Sequence, residues 1–151
     1  MLLPAVILAV GCPAIWIDTR THRIPNPLVM ATLLVACAVQ IGRNGAVGLA
    51  AAFGGAIVGL AFLLPLHRTG AMGAGDVKFM AALGALLGPR AAILAGALTL
   101  IAGAGLGLAI VMWGSRPAAP AQGDAGSALA TRIPYAAAIV SGALAAALFA
   151  P

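Results

Sequence analysis

Charged side chains are scarce in this chain: Asp, Glu, Lys and Arg make up only 7% of the 151 residues, whereas hydrophobic residues make up 63%. A water-soluble domain of this size needs a charged surface over its core, so the composition excludes an ordinary soluble fold. Apolar runs recur along the whole sequence and leave little to face water. The sequence therefore predicts an integral membrane protein.

Cysteine and histidine are also scarce, with two of each in the chain. Cys12 and Cys37 fall inside separate apolar runs, without a Cys-x-x-Cys pair or a histidine at metal-ligand spacing, so no zinc site is predicted. His22 and His67 have no nucleophile beside them and are interpreted as solvated loop residues. We therefore expect neither a metal nor another cofactor.

Positive charge exceeds negative charge by five, because eight Lys or Arg residues stand against three acidic ones. The basic residues lie singly at the ends of apolar runs and form no patch interleaved with aromatic residues, so we expect no nucleic-acid partner. Membrane lipid is the expected environment, and the basic residues indicate which ends of the spans face the cytoplasm.

Apolar runs of roughly 20 residues, the length of one membrane span, divide the chain into six helical segments. The predicted segments lie at about 1–17, 27–42, 46–66, 76–88, 91–113 and 133–150. At ~1.5 Å per residue, 76–88 reaches only about 20 Å, so it either begins inside the preceding turn or is a half-span packed within protein. We predict an all-α bundle of about six transmembrane helices, forming a single domain over 1–151.

The basic residues are divided unevenly between the two sides of this bundle. Loops 18–26, 67–75 and 114–132, with their flanks, hold six of them: Arg20, Arg23, Arg68, Lys78, Arg116 and Arg132. The loops on the other side, 43–45 and 89–90, hold Arg43 and Arg90. By the positive-inside rule, the first set of loops faces the cytoplasm and both termini lie outside.

Two of the three acidic residues, Asp18 and Asp76, stand where an apolar run meets a basic turn on this cytoplasmic side. A carboxylate close to lipid is costly, so it usually has a function. Two carboxyl groups that share one proton are the minimum set for an aspartic protease. The pair therefore indicates an intramembrane-type peptidase, whereas Asp124 lies in a Pro/Ala/Gly-rich loop and is interpreted as solvated.

The turn after Asp18 contains two prolines in three residues, Pro25 and Pro27, on either side of Asn26. Prolines at these positions end one helix and set the entry to the next. Asn26 either caps backbone donors or touches substrate. From this segment alone, an ion pair between Asp18 and a neighbouring arginine is as good an explanation as a catalytic role.

The turn before Asp76 contains Gly73 and Gly75, which remove side chains just ahead of the carboxyl group. The absence of side chains at these two positions leaves room for the close approach of a substrate backbone. Asp76 then lies at the start of a helix, where the macrodipole favours its charged form and burial favours its neutral form. Lys78 either tunes Asp76 or anchors the helix at the headgroups.

Three pieces of the sequence together resemble the prepilin peptidases, which are membrane aspartyl proteases with a Gly-x-Gly-Asp motif. They are Asp18 with Arg23-Ile24-Pro25-Asn26, the block Gly73-Ala74-Gly75-Asp76-Val77-Lys78, and Ile133-Pro134-Tyr135 before the last span. The likeness is to the short forms associated with Flp-type, or tight-adherence, pili. It implies that Asp18 and Asp76 are the catalytic pair and that Gly73, Gly75, Lys78, Pro25 and Asn26 bind substrate or shape the site.

The resemblance also implies a substrate and a location. The substrate would be a prepilin or pseudopilin with a transmembrane helix, and the reaction would remove its short basic leader at the cytoplasmic face of the bacterial plasma membrane. Longer members carry a cytosolic insert with paired Cys-x-x-Cys motifs and also methylate the new pilin N-terminus. This chain has neither the insert nor those cysteines, so cleavage without methylation is expected. Ala136 also replaces the glycine that usually follows Tyr135 in the last element.

Two other functions explain intramembrane acids as well. In a small ion- or proton-coupled transporter subunit, Asp18 and Asp76 would carry protons or bind a cation. However, both acids map to one side of the membrane, and no ionisable residue continues a path through the spans. An inactive assembly factor for a pilus or secretion machine is the second alternative, and the intact Asp pair argues against it.

Overall fold

The computed structural model describes residues 2–21, 24–69, 72–112 and 135–149. These ranges contain helices and no strand, so the predicted all-α fold class is confirmed. The helices are α1 (Leu2–Thr21), α2 (Asn26–Arg68), α3 (Ala74–Leu87), α4 (Pro89–Met112) and α5 (Tyr135–Phe149). The predictions made for His22, Arg23, Asp124 and the Ile133-Pro134 step lie outside the described residues.

Helix α2 has 43 residues, about twice the length that crosses a membrane. It is broken at Gly45, whose φ of 57° and ψ of −135° are open to glycine and strained for other residues. A Cβ atom on Gly48 would overlap the Gln40 carbonyl, because the chain folds back after the break. The first arm (26–44) and second arm (46–68) therefore match the two predicted spans and the turn between them.

Of the described helices, α1, α2 and α4 are long and apolar enough to cross a membrane, and α5 is a shorter apolar helix. Helix α3, with 14 residues, is the short segment whose nature the sequence left open. Its Phe79, Met80 and Leu83 side chains are fully buried against the rest of the protein. It is therefore a short helix enclosed by protein, and it begins at Ala74, inside the preceding turn, so each of the two sequence interpretations holds in part.

Small residues allow α3 to pack closely against the second arm of α2. A Cβ atom on Gly55 would overlap the Gly84 carbonyl, so these two backbones are in direct contact. At the end of α3, the Gln40 side-chain amide donates to the carbonyls of Ala85 and Leu86, at 3.4 and 3.0 Å. Those carbonyls belong to the last turn of the helix, where intrahelical donors run out.

Helix α5 packs against α1 through Gly11 and Val140, and against α4 through Gly142 and Thr99. The contact with α1 brings the start of α5 to the end of α1 that carries Asp18. At the opposite end of the bundle, Arg43 and Arg90 line one cavity. The two short loops thus lie together, away from the acidic residues, as the predicted alternation of the spans requires.

Candidate active site

Asp18 occupies the last turn of α1 and is only 5% exposed. Its Oδ2 accepts a hydrogen bond of 3.3 Å from the backbone N–H of Ala136, in the first turn of α5. The positive end of the α5 macrodipole therefore lies against this carboxyl group, an arrangement that favours negative charge. Arg20 instead lies over the Trp16 ring, 4.3 Å from its centroid.

Asp76 is the third residue of α3, and Gly73 is the N-cap of that helix. The backbone N–H of Gly73 hydrogen-bonds the Asp76 carboxyl group. This is the geometry of a capping box, in which an acidic or amide side chain at the third helical position satisfies the N-cap donor. A Cβ atom on Gly73 would lie 3.3 Å from Asp76 Oδ2, so a larger residue would crowd the carboxyl group.

The pKa of Asp76 is raised from 3.8 to about 6. Burial is the largest cause of this shift, and the negative charge of Asp18 is the second. The hydrogen bond from Gly73 acts in the opposite direction, because it favours the charged form. The charge of Asp18, on α1, thus influences the ionisation of Asp76, on α3. Asp76 therefore keeps its proton to a higher pH than an ordinary aspartate, up to about pH 6.

A cavity of about 360 Å³ opens beside Asp76 and is large enough for several atoms of a peptide. Its wall contains most of the residues that the sequence indicated for the site, namely Asn26, Gly73, Gly75, Asp76 and Lys78, together with Ile24 and Ala74. A Cβ atom on Gly75 would lie 3.2 Å from the Ile24 carbonyl oxygen. Glycine at this position therefore allows the turn before α2 to close against the start of α3.

The turn before α2 is held by Pro25, which is the N-cap of that helix. The Pro25 carbonyl accepts hydrogen bonds from the N–H groups of Leu28 and Val29, at 3.0 and 3.4 Å. Beside it, Lys78 Nζ donates to Asn26 Oδ1 at 3.3 Å. This contact is not one of the uses considered for either residue from the sequence: the Asn26 oxygen receives Lys78, and Lys78 bridges from α3 to the start of α2.

Three features of the site were not identified from the sequence. Tyr135 was indicated only as part of the last motif, and its electrostatic interaction with Asp76 from the first position of α5 was not foreseen. The neighbouring Ala136 supplies a backbone donor to Asp18, a contact that does not depend on which residue occupies that position. The interpretation of His67 as a solvated residue was wrong, because its ring is half-buried and Nδ1–H donates to the Met72 carbonyl at 2.9 Å.

This His67 bond ties the end of α2 to the segment that leads into Gly73. The signals that could have revealed it are weak, since a histidine near a span end is commonly solvated. Among the described ranges, no group of three or more His, Cys, Asp or Glu side chains has the arrangement of a metal site. The cavity wall itself presents the Asp76 carboxyl group, the Asn26 amide and the Lys78 ammonium group.

The chain is similar to a known protein family. The model of the type IV leader peptidase family matches residues 5–108, a range that includes both Asp18 and Asp76. Searches of the curated proteins and of the solved structures found no match. Because the family model covers more than half of the chain, the resemblance inferred from the sequence is confirmed: this protein belongs to the type IV leader peptidase family, a family of proteases.

Proposed function

We propose that this protein is an aspartic endopeptidase that removes the short basic leader from type IV-like, Flp-type prepilins. The observation that carries the proposal is the electrostatic effect of Asp18 on Asp76, which lines a glycine-rich cavity and whose pKa is raised by burial and by the Asp18 charge. Membership of the type IV leader peptidase family supports a prepilin-type substrate.

The surroundings of the two carboxyl groups suggest which one holds the shared proton. Asp18 receives the Ala136 N–H at the start of α5, so it is suited to be the ionised partner. Asp76, with its pKa raised to about 6 by burial and by Asp18, is suited to be the protonated partner. Pairs of acids whose environments differ in this way commonly divide the roles of base and acid.

The reaction then follows from these two protonation states. Asp18 takes a proton from water as the water oxygen attacks the scissile carbonyl carbon, and Asp76 protonates the carbonyl oxygen. The tetrahedral intermediate collapses when the C–N bond breaks and the leaving nitrogen takes the proton that Asp18 holds. Asp76 regains its proton from the former carbonyl oxygen, which restores the starting pair.

The other residues of the site shape the space in which the peptide lies. Gly73 and Gly75 carry no side chains, so an extended backbone can approach Asp76 closely. Pro25 fixes the turn opposite them, and Asn26 and Lys78 form its polar edge. None of these residues takes part in the proton transfers, and their proposed role is to position the scissile segment.

The proposed location is the bacterial plasma membrane, with the site at the cytoplasmic face. The loops on the side of Asp18 and Asp76, with their flanks, hold more basic residues than the loops on the other side, which hold Arg43 and Arg90. By the positive-inside rule, this excess is the basis for the proposed orientation. The residues 1–151 are proposed to act as a single membrane-embedded peptidase domain. Cleavage without methylation is proposed, since the chain has no paired Cys-x-x-Cys motifs.

The test is co-expression with a tagged Flp-type prepilin, with leader removal followed by gel shift and mass spectrometry. Wild type is expected to cleave, Asp18→Asn and Asp76→Asn are expected to lose activity, and Asp124→Asn serves as the matched acid-to-amide control. Normal cleavage by either of the first two variants would overturn the proposed dyad. If wild type cleaves no prepilin, the transporter or assembly-factor alternatives gain support.

A further inference from the structure

A second and larger cavity adjoins the candidate active site. It has a volume of about 520 Å³ and shares two residues, Asn26 and Lys78, with the cavity beside Asp76. It lies between the two arms of α2 and above α3, since all three segments contribute to its wall. The Lys78–Asn26 hydrogen bond therefore stands at the boundary between a mainly apolar groove and the polar site.

The apolar groove has a floor of small residues and walls of long ones. Ala56, Ala81 and Ala82 form the floor, which would let the backbone of another helix approach closely. Met30 and Leu60, from the two arms of α2, form the walls and are 54% and 40% exposed. Flexible side chains such as methionine adapt to apolar partners of different shape.

The length of the groove also suits a helix. Along the first arm of α2, its lining runs from Asn26 to Leu33, which is about 10 Å, or two helical turns, at ~1.5 Å per residue. A partner helix seated there would have its end at the Lys78–Asn26 pair. Beyond that pair lies the cavity that contains Asp76.

We propose that this groove binds the apolar transmembrane helix of the prepilin substrate, so that the peptide bond to be cut passes over the Lys78–Asn26 pair toward Asp76. The inference rests on the proposed peptidase function and adds to it the surface that holds the substrate in the membrane. It also gives Lys78 and Asn26 a specific role as positioning residues at the end of the bound helix.

That role follows from the backbone chemistry of the substrate. A bond can be cut only where the helix is unwound, and unwinding leaves carbonyl groups that have lost their intrahelical donors. Near lipid such groups must find partners within protein. Lys78 has three N–H donors, one of which is directed to Asn26, and the Asn26 amide nitrogen carries two more. These donors lie where the first unwound carbonyls would emerge.

Cysteine cross-linking tests the groove directly. In a Cys12→Ser, Cys37→Ser, Asp76→Asn background, Met30→Cys and Leu60→Cys would be paired with single cysteines along the prepilin helix in oxidised membranes. Ile57→Cys is the matched control, because Ile57 lies on the same arm as Leu60 and is 67% exposed but does not line the groove. Disulfides are expected at 30 and 60 in a helical pattern along the prepilin, and not at 57.

Three results would overturn the proposal. Equal cross-linking at 57 would mean that no particular surface is used. Preferred cross-linking at Leu108→Cys, in the separate cavity that contains Tyr135, would mean that the substrate binds there. A third result would be that no disulfides form at 30 and 60, although the same cysteine variants with Asp76 restored still cleave prepilin. This result would mean that lipid, and not the substrate helix, occupies the groove.

A steric variant provides a second readout. Leu60→Trp is expected to lower kcat/KM on full-length prepilin about tenfold, or ~1.4 kcal/mol, with Ile57→Trp near wild type. Ile57→Trp should cut a soluble leader peptide without the apolar helix as wild type does, and Leu60→Trp should lose less activity on this peptide than on full-length prepilin. Equal loss on both substrates, or no loss on prepilin, would overturn the groove assignment. If wild type itself cuts neither substrate, it is the proposed function that fails.

Discussion

Asp18 and Asp76 lie on different helices, yet they form one electrostatic unit. Burial raises the pKa of Asp76 to about 6, and the charge of Asp18 contributes to that shift. The unit depends on two close helix contacts, one that brings the start of α5 to Asp18 and one that encloses α3 between its neighbours. Neither contact is local in sequence, so the paired state of the acids is a property of the folded bundle.

The pH dependence of cleavage is the first prediction. In the proposed mechanism Asp76 must be protonated to donate to the scissile carbonyl, so kcat/KM should fall as the pH rises through the pKa of about 6. The profile would be measured with prepilin in detergent or liposomes between pH 5 and 9, with the protein checked for folding at each pH. A flat profile over this range would contradict the assignment of Asp76 as the acid.

Asp76→Asn should stabilise the protein at neutral pH even though it abolishes cleavage. The folded-state pKa of about 6 exceeds the ordinary value of 3.8, so ionisation of Asp76 destabilises the folded state as the pH rises between these values. The amide removes a penalty of up to about 3 kcal/mol. The thermal midpoint of the variant should exceed that of wild type at pH 7.5, and the difference should shrink at pH 4. An equal difference at both pH values would exclude this origin.

Much of the fold could be predicted because apolar runs, and the residues that interrupt them, are local features of the sequence. The break at Gly45 and the short length of α3 both follow from run length and from residues that interrupt a helix. Gly73 and Gly75 stand out for the same reason, since they precede an acid at a helix start. These features need no knowledge of which helices are neighbours.

What the sequence could not supply is the set of contacts between distant segments. The bond from Ala136 to Asp18 uses a backbone N–H donor, so the type of residue at position 136 does not indicate it. The bond from His67 to Met72 and that from Lys78 to Asn26 depend on how the helix ends meet. Asp76 protonation likewise depends on burial, which only the packed bundle determines.

Gly75→Ala tests the close approach at the site. A Cβ atom there would meet the Ile24 backbone, with its oxygen at 3.2 Å and its nitrogen at 3.3 Å, so the turn must move away from α3. We expect kcat to fall about tenfold, since small displacements of reacting groups have large effects on rate. Gly105→Ala is the matched control, because no atom lies within 4 Å of its Cβ position. If the two variants have equal activity, the glycine is not needed for the geometry of the site.

Gly45→Ala tests the break between the two arms of α2. At φ 57° and ψ −135°, alanine would be strained, and we expect a loss of about 1–3 kcal/mol in the free energy of unfolding. Gly42→Ala, three residues earlier in the same helix and with no atom within 4 Å of its Cβ position, should instead stabilise the protein by up to ~1 kcal/mol. Thermal unfolding in one detergent would compare the two variants.

Because Gly45 lies at the opposite end of the bundle from Asp18, the activity per folded molecule should be unchanged in both. Similar stability of the two variants would mean that the chain turns at another residue, and a loss of activity in folded Gly45→Ala would show that the turn is coupled to the site.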